Sequence, residues 1–451
     1  MKKIFQYIML AVVTIVMASC TSDIEETTAT TGKSNVQLVV GEFPAFGDSQ
    51  TRAIGTPDEG KTSWAEGDEL LLEIDNTFYG KQYATFTYNG KSWELTSGEL
   101  VYREGDPAYI SHVYYAPNYK WEAGELFLKK GKVAGTDEYI EGKAIITGNG
   151  ETITVSFAEA TRKYSRLRIA TLPNEQITVD TEDFTPAGSS DMEQKGNYTL
   201  TSDEKGNAYL YGTFENNSEV TVKYREAALT TYTFSQATES AKSYALDATV
   251  ISANSAEEIK SAIEQKVADG KTIIRLNLAP NAGTDEFMAI REAIKGAAPN
   301  DLGTIELTII GVETIPEEAF KRMSQLKSVK MPDVKEIKKY AFSECTYLTA
   351  VEAPSLNKLY SGAFKDCDQL AKLTFGPINY ADARNWPVVE DCQNIDLILS
   401  DYQKEMIETS SYLYTANNDK DYAGSDEHKN VKFLGWKYKS ITCRGIKYPK
   451  D

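Results

Sequence analysis

The sequence predicts a multidomain protein with two all-β sandwich domains followed by an α/β solenoid. Up to about residue 250, short runs that alternate apolar and polar residues are separated by turn residues, a pattern typical of sandwich strands. Helical and strand patterns then alternate. Three segments that start at Ile315, Ile337 and Leu359 repeat with a period of 22 residues. A fixed period of this length indicates one short unit stacked on copies of itself.

The N-terminal residues form a pattern typical of protein export. Lys2 and Lys3 precede an apolar run that is too short for a stable membrane span. The run ends in Val-Met-Ala-Ser directly before Cys20, which resembles the lipobox of bacterial lipoproteins. The resemblance implies a signal peptide at 1–19, cleavage before Cys20 and lipidation of that cysteine. An ordinary secretory peptide with a chance cysteine is the alternative.

Residues 20–34 are rich in Thr, Ala, Glu and Ser and predict a flexible tether. The acidic stretch from Asp23 to Glu26 is similar to the one that follows the lipidated cysteine in surface-exposed lipoproteins of the Bacteroides group. These features lead us to expect an outer-membrane protein that is lipid-anchored and exposed at the cell surface.

Residues 35–148 and 149–250 are the two predicted sandwich domains. Asn89 and Gly90 lie between two strand patterns, which is a strong hairpin signal. The predicted strands are 36–43, 69–74, 83–89, 93–96 and 109–116 in the first domain, and 151–157, 165–172, 198–202, 208–214, 219–224 and 230–234 in the second.

Short motifs in this half of the chain resemble the Bacteroides-type fimbrillin-like proteins. The resemblance covers about residues 35–250 and implies two sandwich domains of transthyretin-like type. Glu159 departs from it, because such proteins often carry a histidine there. The motifs are Thr-Arg-Ala at 51–53, Trp-Ala-Glu-Gly-Asp at 64–68, Val-Tyr-Tyr-Ala-Pro at 113–117, Phe-Ala-Glu-Ala at 157–160 and Ser-Arg-Leu-Arg-Ile at 165–169.

The same resemblance draws attention to Arg52. In some family members an arginine early in the first domain is a processing site, where cleavage removes a strand and opens a groove for a neighbouring subunit's strand. Arg52 lies in a stretch rich in Gly, Thr and Pro, so we expect it to be exposed. An uncut loop in a monomer is the alternative.

Residues 251–443 are the predicted repeat domain, which an α/β cap opens and a tail at 444–451 follows. Ser255 and Glu258 form a capping box at the start of a helix. Steps of 22 residues carry the strand register back from Val329 to Leu307 and forward from Leu373 to Ile395, so we expect about six parallel strands. The predicted cap elements are a strand at 273–278, a helix at about 286–295 and a strand at 305–310.

The repeat Ile-x3-Ala-Phe-x2-Cys-x2-Leu-x2-Val-x2-Pro resembles BspA-type leucine-rich repeats. Phe320, Phe342 and Phe364 align and predict a repeated core. Cys345 and Cys367 also align, so they belong to adjacent coils whose strands are about 4.8 Å apart. That spacing permits a disulfide. A ladder of buried reduced thiols is the alternative and the interpretation that we favour.

The composition argues against nucleic-acid binding and against catalysis. The formal net charge of -18 repels nucleic acid, and only two histidines occur in 451 residues, without a paired nucleophile motif. No metal, phosphate-loop or cofactor motif is present in the sequence. The loop at 417–427 has alternating oxygen ligands but lacks the glycine of a calcium loop, which favours a solvated loop. We therefore expect no enzyme, no cofactor and no metal.

Strand alternation predicts one outward face on the repeat domain. Its candidate interaction residues are Ser328, Lys330, Glu352, Lys372 and Thr374. The face has no aromatic cluster and no patch of one charge sign, so a solvated sheet face is the alternative.

These observations predict a surface lipoprotein in which a β stalk presents a repeat head for adhesion to a protein of the host matrix or of a bacterial surface. One alternative is a fimbrial accessory or tip subunit that assembles by strand exchange. Another is a glycan-binding surface lipoprotein.

Overall fold

The computed structural model describes residues 37–44, 61–101, 108–147, 152–156, 162–225, 227–253, 255–376, 378, 380–382, 389, 392, 395–399, 431–433, 436–443 and 446–448. The predicted signal peptide, Cys20, the tether, Arg52, Glu159 and the loop at 417–427 lie outside them. Within the described residues, no helix is long and apolar enough to cross a membrane.

Strands dominate the first half of the chain. Seven of the first nine strands pair in the order β1-β9-β8-β5-β2-β3-β4, and β6 and β7 form a separate hairpin. Because β9 pairs with both β8 and β1, this sheet continues past the predicted boundary at residue 148. The strands are β1 (Gln37–Val40), β2 (Glu69–Asn76), β3 (Gly80–Tyr88), β4 (Trp93–Gly98), β5 (Ala108–Tyr115), β6 (Tyr119–Glu122), β7 (Glu125–Leu128), β8 (Ile140–Thr147) and β9 (Thr152–Ser156).

Both faces of β2 are buried, which explains its unbroken run of leucines. Leu70 and Leu72 point into the core of this first β unit. Leu71 points to the other face, where Tyr119 and the β6–β7 hairpin cover it. The Trp121 ring of that hairpin lies 4.7 Å from the ring of Tyr83 on β3. The hairpin thus seals a sheet face that would otherwise expose apolar side chains.

The second β unit is a second hydrogen-bonded sheet with one main apolar core. Its path runs β15-β14-β11-β13-β10-β16, with β12 paired to β11. The strands are β10 (Ser165–Ala170), β11 (Gln176–Pro186), β12 (Glu193–Thr201), β13 (Asn207–Phe214), β14 (Glu219–Tyr224), β15 (Ala227–Thr233) and β16 (Ser243–Asp247).

A buried ion pair joins the two β units. Arg162 and Glu138 are 3% and 4% exposed, and Arg162 Nε lies 3.2 Å from Glu138 Oε2. The Tyr164 hydroxyl donates to the same carboxylate oxygen at 2.7 Å and accepts from the Tyr139 backbone N–H at 3.0 Å. Since removal of either charge would leave its partner buried and unpaired, this contact holds the seam in one geometry.

The repeat region combines two sheets and two helices. The large sheet runs β17-β18-β19-β21-β23-β25-β27-β30-β31, and the small one runs β20-β22-β24-β26. The helices are α1 (Ala256–Ala268) and α2 (Thr284–Ala297). The strands are β17 (Ile251–Ser252), β18 (Ile273–Asn277), β19 (Ile305–Ile310), β20 (Thr314–Ile315), β21 (Leu326–Lys330), β22 (Glu336–Ile337), β23 (Ala350–Ala353), β24 (Lys358–Tyr360), β25 (Lys372–Phe375), β26 (Tyr380–Asp382), β27 (Asp396–Leu399), β28 (Val431–Phe433), β29 (Trp436–Tyr438), β30 (Ser440–Cys443) and β31 (Ile446–Tyr448).

Strand pairing follows the 22-residue period through three coils. Leu307 lies opposite Val329, Val329 opposite Val351, and Val351 opposite Leu373. The next step differs from the prediction, because Leu373 lies opposite Leu397 instead of Ile395. The coil before β27 is therefore two residues longer than its predecessors. Parallel pairing also reaches β17 and β30, so the sheet has eight parallel strands where about six were expected, and β31 closes it antiparallel within the predicted tail.

The interior repeats as regularly as the strands. Phe320, Phe342 and Phe364 are fully buried, and their rings stack at centroid distances of 5.1 and 5.4 Å. Phe287 of α2 packs edge-on against Phe320 at 5.6 Å. The first of the two helices to follow the β units thus covers nothing of this stack, while the second covers its open end.

The aligned cysteines are free thiols. Cys345 Sγ donates to the Phe320 carbonyl at 3.0 Å, and Cys367 Sγ donates to the Phe342 carbonyl at 3.1 Å. Cys392, which is also buried, continues the ladder. Hydrogen bonding with the neighbouring Cys345 and Cys392 thiols, followed by burial, raises the pKa of the Cys367 thiol, so that it stays protonated.

We predict that Phe342→Ala lowers the stability of the repeat region by about 3–5 kcal/mol, because it leaves a cavity between two stacked rings. Urea denaturation followed by tryptophan fluorescence and circular dichroism would measure the loss. Met288→Ala is the matched control, since Met288 lies on α2 and is 43% exposed. Equal stability of the two variants would contradict a load on the phenylalanine stack.

Candidate interaction surface

The outward face of the large sheet is built from rows of side chains that run across the strands. One row contains Lys330, Glu352 and Thr374, which are direct partners on β21, β23 and β25. A second row contains Ser328, Ala350 and Lys372. Because strands in a sheet lie about 4.8 Å apart, the structure brings all five predicted face residues together on one surface.

The charges on this surface are free of intramolecular partners. Lys330, Glu352 and Lys372 are exposed, and none of them forms an ion pair with another residue that the structure describes. Lys330 and Glu352 are neighbours as expected, but their side chains do not meet. The three charges therefore remain available to a binding partner.

Charged residues at the flanks of the same coils behave differently, since many of them pair between adjacent coils. Arg322 Nε lies 2.7 Å from Glu344 Oε2, exactly one repeat further along the chain. Lys327 contacts Glu306 at 2.7 Å, and Lys335 contacts Glu313 at 2.5 Å. Pairing of this kind neutralises the flanks and leaves the sheet face as the part of the coil with uncompensated charge.

The second β unit covers the N-terminal end of the face. Arg275 on β18 is 2% exposed, and its Nε donates to the Leu229 carbonyl at 2.7 Å. Its Nη1 lies 3.9 Å from Asp247 Oδ1. Thr308 on β19 is the next residue in this row and is buried at 6% exposure. The face that the alternation predicted is therefore open only from β21 onward.

Arg275 also shows how the second sheet curls. Leu229 is the extra residue of a β-bulge on β15, and Asp247 ends β16. These two strands are the opposite ends of the sheet path, yet both contact one guanidinium group. Ile310 of the repeat region completes the apolar core of that unit. The two parts of the chain thus share a packed junction.

The C-terminal end of the face continues onto β27 and β30. Thr374 lies opposite Ile398, which in turn lies opposite Thr442. Asp396 at the edge of this part accepts from the Ser440 hydroxyl at 2.5 Å and lies 3.5 Å from Lys439 Nζ. Sequence reasoning missed this extension because the longer coil before β27 breaks the 22-residue count.

The described residues contain no group of three or more His, Cys, Asp and Glu side chains that could hold a metal ion. The histidine in β5, His112, places its Nδ1 3.1 Å from Glu141 Oε1. The processing and lipidation candidates, Arg52 and Cys20, stay predictions because they lie outside the described residues.

Comparison with known proteins identifies the repeats. Residues 301–417 match the BspA type leucine-rich repeat region in six copies. This match covers less than half of the chain, and it includes β19 to β27, which carry the interaction face. The BspA-type repeat region is therefore the part of the protein whose relationship is established.

The comparisons offer less for the β units. No curated protein matches the chain. A crystal structure of a candidate cell adhesion protein from Bacteroides fragilis shares 10% identity over 48% of this chain and 93% of its own, with a TM-score of 0.30. The minor pilin of Streptococcus agalactiae shares 10% identity over 48% of this chain and 94% of its own, with a TM-score of 0.16. These likenesses are too low to carry an argument about fold or function.

We predict that Arg275→Met loosens the junction by about 2 kcal/mol, because it removes a charged hydrogen bond and leaves a buried carbonyl without its donor. Amide hydrogen exchange should become faster in β15 and β18. Arg322→Met, which removes an exposed arginine at the flank of the same region, should leave exchange in both strands unchanged. Unaltered exchange in the Arg275 variant would show that the junction does not depend on this side chain.

Proposed function

We propose that the protein is a cell-surface interaction module in which the two β units form a stalk and the BspA-type repeat region is the binding head. The observation that carries the proposal is the set of unpaired charges on the face, at Lys330, Glu352 and Lys372, beside flanks whose charges pair between coils. A partner protein with a complementary charge pattern would supply the missing partners. The proposed role is non-catalytic.

The geometry of the face suits a broad protein contact better than capture of a small molecule. Its strands form a continuous surface from β21 to β30. Small side chains at Ser328 and Ala350 leave the backbone of the sheet accessible between the charged positions. A protein interface needs about 800 Å² from each side. A sheet of several strands offers such an area without rearrangement.

Anchoring at the surface rests on the N-terminal motif. Lipidation at Cys20, followed by the tether at 20–34, would attach the stalk to the outer membrane and place the head away from it. The acidic surface that follows from a formal charge of -18 favours solubility and repels anionic lipid headgroups. Such a surface is consistent with contact to the membrane through the anchor alone.

We predict that the triple variant Lys330→Ala, Glu352→Ala, Lys372→Ala binds its partner about tenfold more weakly or less, because these charges lie at the centre of the face. Binding of the purified chain to a panel of host-matrix proteins and whole bacterial cells would measure the effect.

A matched control for this variant is Glu182→Ala, Lys195→Ala, Lys205→Ala, which removes the same charges from the second β unit. Lys195 and Glu182 have side chains that are 85% and 53% exposed. The control should bind like the unchanged chain. If the control loses binding and the face variant keeps it, the head is not the binding site.

Strand exchange in a fimbria is a second candidate function, and the edge position of β1 favours it. β1 has four residues, ends the first sheet and pairs in parallel with β9. Phe43, which follows it, is 6% exposed and packs against the rings of Trp64 and Tyr115. Cleavage at Arg52 would permit removal of this segment and open an edge with an apolar pocket.

For the anchored monomer we predict that N-terminal analysis of surface-extracted protein finds only a chain that starts at lipidated Cys20, because the stalk keeps β1. The extracted protein should run as a monomer on unboiled gels. Arg52→Ala should behave in the same way. A start at Ala53 together with a ladder of oligomers, both lost in Arg52→Ala, would favour the fimbrial subunit.

A further inference from the structure

A cleft of about 260 Å³ lies at the seam between the two β units. The first unit contributes Tyr139 and Glu141, and the second contributes Thr185, Thr213 and a loop at 187–190. Lys163, from the segment that connects the units, lies at its edge. Drug-sized ligands occupy pockets of about 300–1,000 Å³, so this cleft has room for one small ring.

The loop at 187–190 approaches the aromatic wall as closely as its backbone allows. Gly188 has a φ of +83°, and a Cβ at this position would lie 2.5 Å from Tyr119 Oη and 2.6 Å from Tyr139 Cδ2. The Tyr119 and Tyr139 rings pack edge to face at 5.1 Å. Glycine is therefore required both by the left-handed backbone and by the contact. The loop and the rings fix the width of the cleft.

The floor of the cleft is rigid. The hydroxyl of Tyr164, which lines it, donates to Glu138 and accepts from the backbone of Tyr139. Glu138 is held in turn by Arg162 in the buried ion pair of the seam. A site whose walls are locked by buried hydrogen bonds loses little entropy when a ligand binds.

The charges that line the cleft compensate each other. Glu141 Oε1 contacts His112 Nδ1 at 3.1 Å, and its Oε2 lies 3.6 Å from Lys163 Nζ. With the carboxylate and the ammonium group already paired, the cleft has no surplus charge for an anion or a cation. Its polar groups favour a neutral ligand.

The cleft does offer unused hydroxyls. Thr185 and Thr213 are cross-strand partners on β11 and β13, so their side chains project together. No other residue that the structure describes hydrogen-bonds to either hydroxyl. Each can donate one hydrogen bond and accept others. A ligand that carries several hydroxyls on one ring would match this pair.

We propose that the cleft binds one neutral saccharide residue, with an apolar ring face against Tyr139 and hydroxyls bonded to Thr185, Thr213 and Glu141. Tyrosine offers an apolar ring surface next to a polar edge, and hydroxyl pairs complement the hydroxyls of a sugar. The inference is independent of the head, because the cleft lies in the stalk. It adds a carbohydrate contact at a place where the sequence shows no stripe of aromatic residues.

Saturation-transfer NMR on the full chain tests the proposal, with the methyl glycosides of glucose, galactose, mannose and N-acetylglucosamine as probes. N-acetylneuraminic acid and free lysine serve as charged comparisons. We expect at least one neutral glycoside to receive saturation, and neither charged compound to do so. In the double variant Thr185→Val, Thr213→Val the affinity should fall about tenfold, since two hydrogen bonds are lost and the shape is kept.

The double variant Thr221→Val, Thr231→Val is the matched control. These threonines are also cross-strand partners in the second sheet, and their hydroxyls bond each other at 2.9 Å. This control and the triple variant of the head should both bind the glycoside like the unchanged chain. Absence of transfer to all four neutral glycosides, preference for a charged compound, or undiminished binding in Thr185→Val, Thr213→Val would overturn the proposal.

Discussion

Each coil of the repeat region has an apolar side that only a neighbouring coil can cover, and the rest of the structure depends on this incompleteness. Pairing at a period of 22 residues places phenylalanine on phenylalanine, and places each of the aligned cysteine thiols on a carbonyl of the coil before it. The first coil has no such neighbour before it. There α2 places Phe287 against Phe320, and the second β unit buries Thr308 and Ile310. The junction between stalk and head thus arises from the same need for cover as the repeats themselves.

The features that could be predicted from the sequence are those in which local pattern and contact coincide. The period of 22 residues gives the partners of Val329 and Val351 correctly, because identical coils pair identically. The cap at Ser255 is also local: its Oγ accepts from the Glu258 N–H at 3.3 Å. The five face residues follow from strand alternation alone. In each case the interacting groups lie within one repeat or one helical turn of each other.

The features that escaped prediction depend on residues far apart in the chain. β9 returns to the first sheet and pairs with β1, more than a hundred residues earlier. The burial of Arg275 requires Leu229 and Asp247 from two edges of another sheet. The cleft at Tyr139 exists only because two β units meet there. Two additional residues before β27 shift the register of Leu397, and nothing in the repeat pattern marks their position. Periodicity describes a regular array and is silent about where the array ends.

The antiparallel return of β31 has a consequence for how such a protein can change in length. A stack of parallel strands ordinarily keeps an open edge at which another coil can be added. Here Ile441 already pairs with Tyr448, so that edge is occupied by the chain's own last strand. Gain or loss of a coil is tolerated best between β19 and β25, where every neighbour is equivalent. Duplication of a 22-residue unit there would move the two ends of the head apart by about 4.8 Å. The copy number would then set the span of the head in discrete steps, while both capped ends stay as they are.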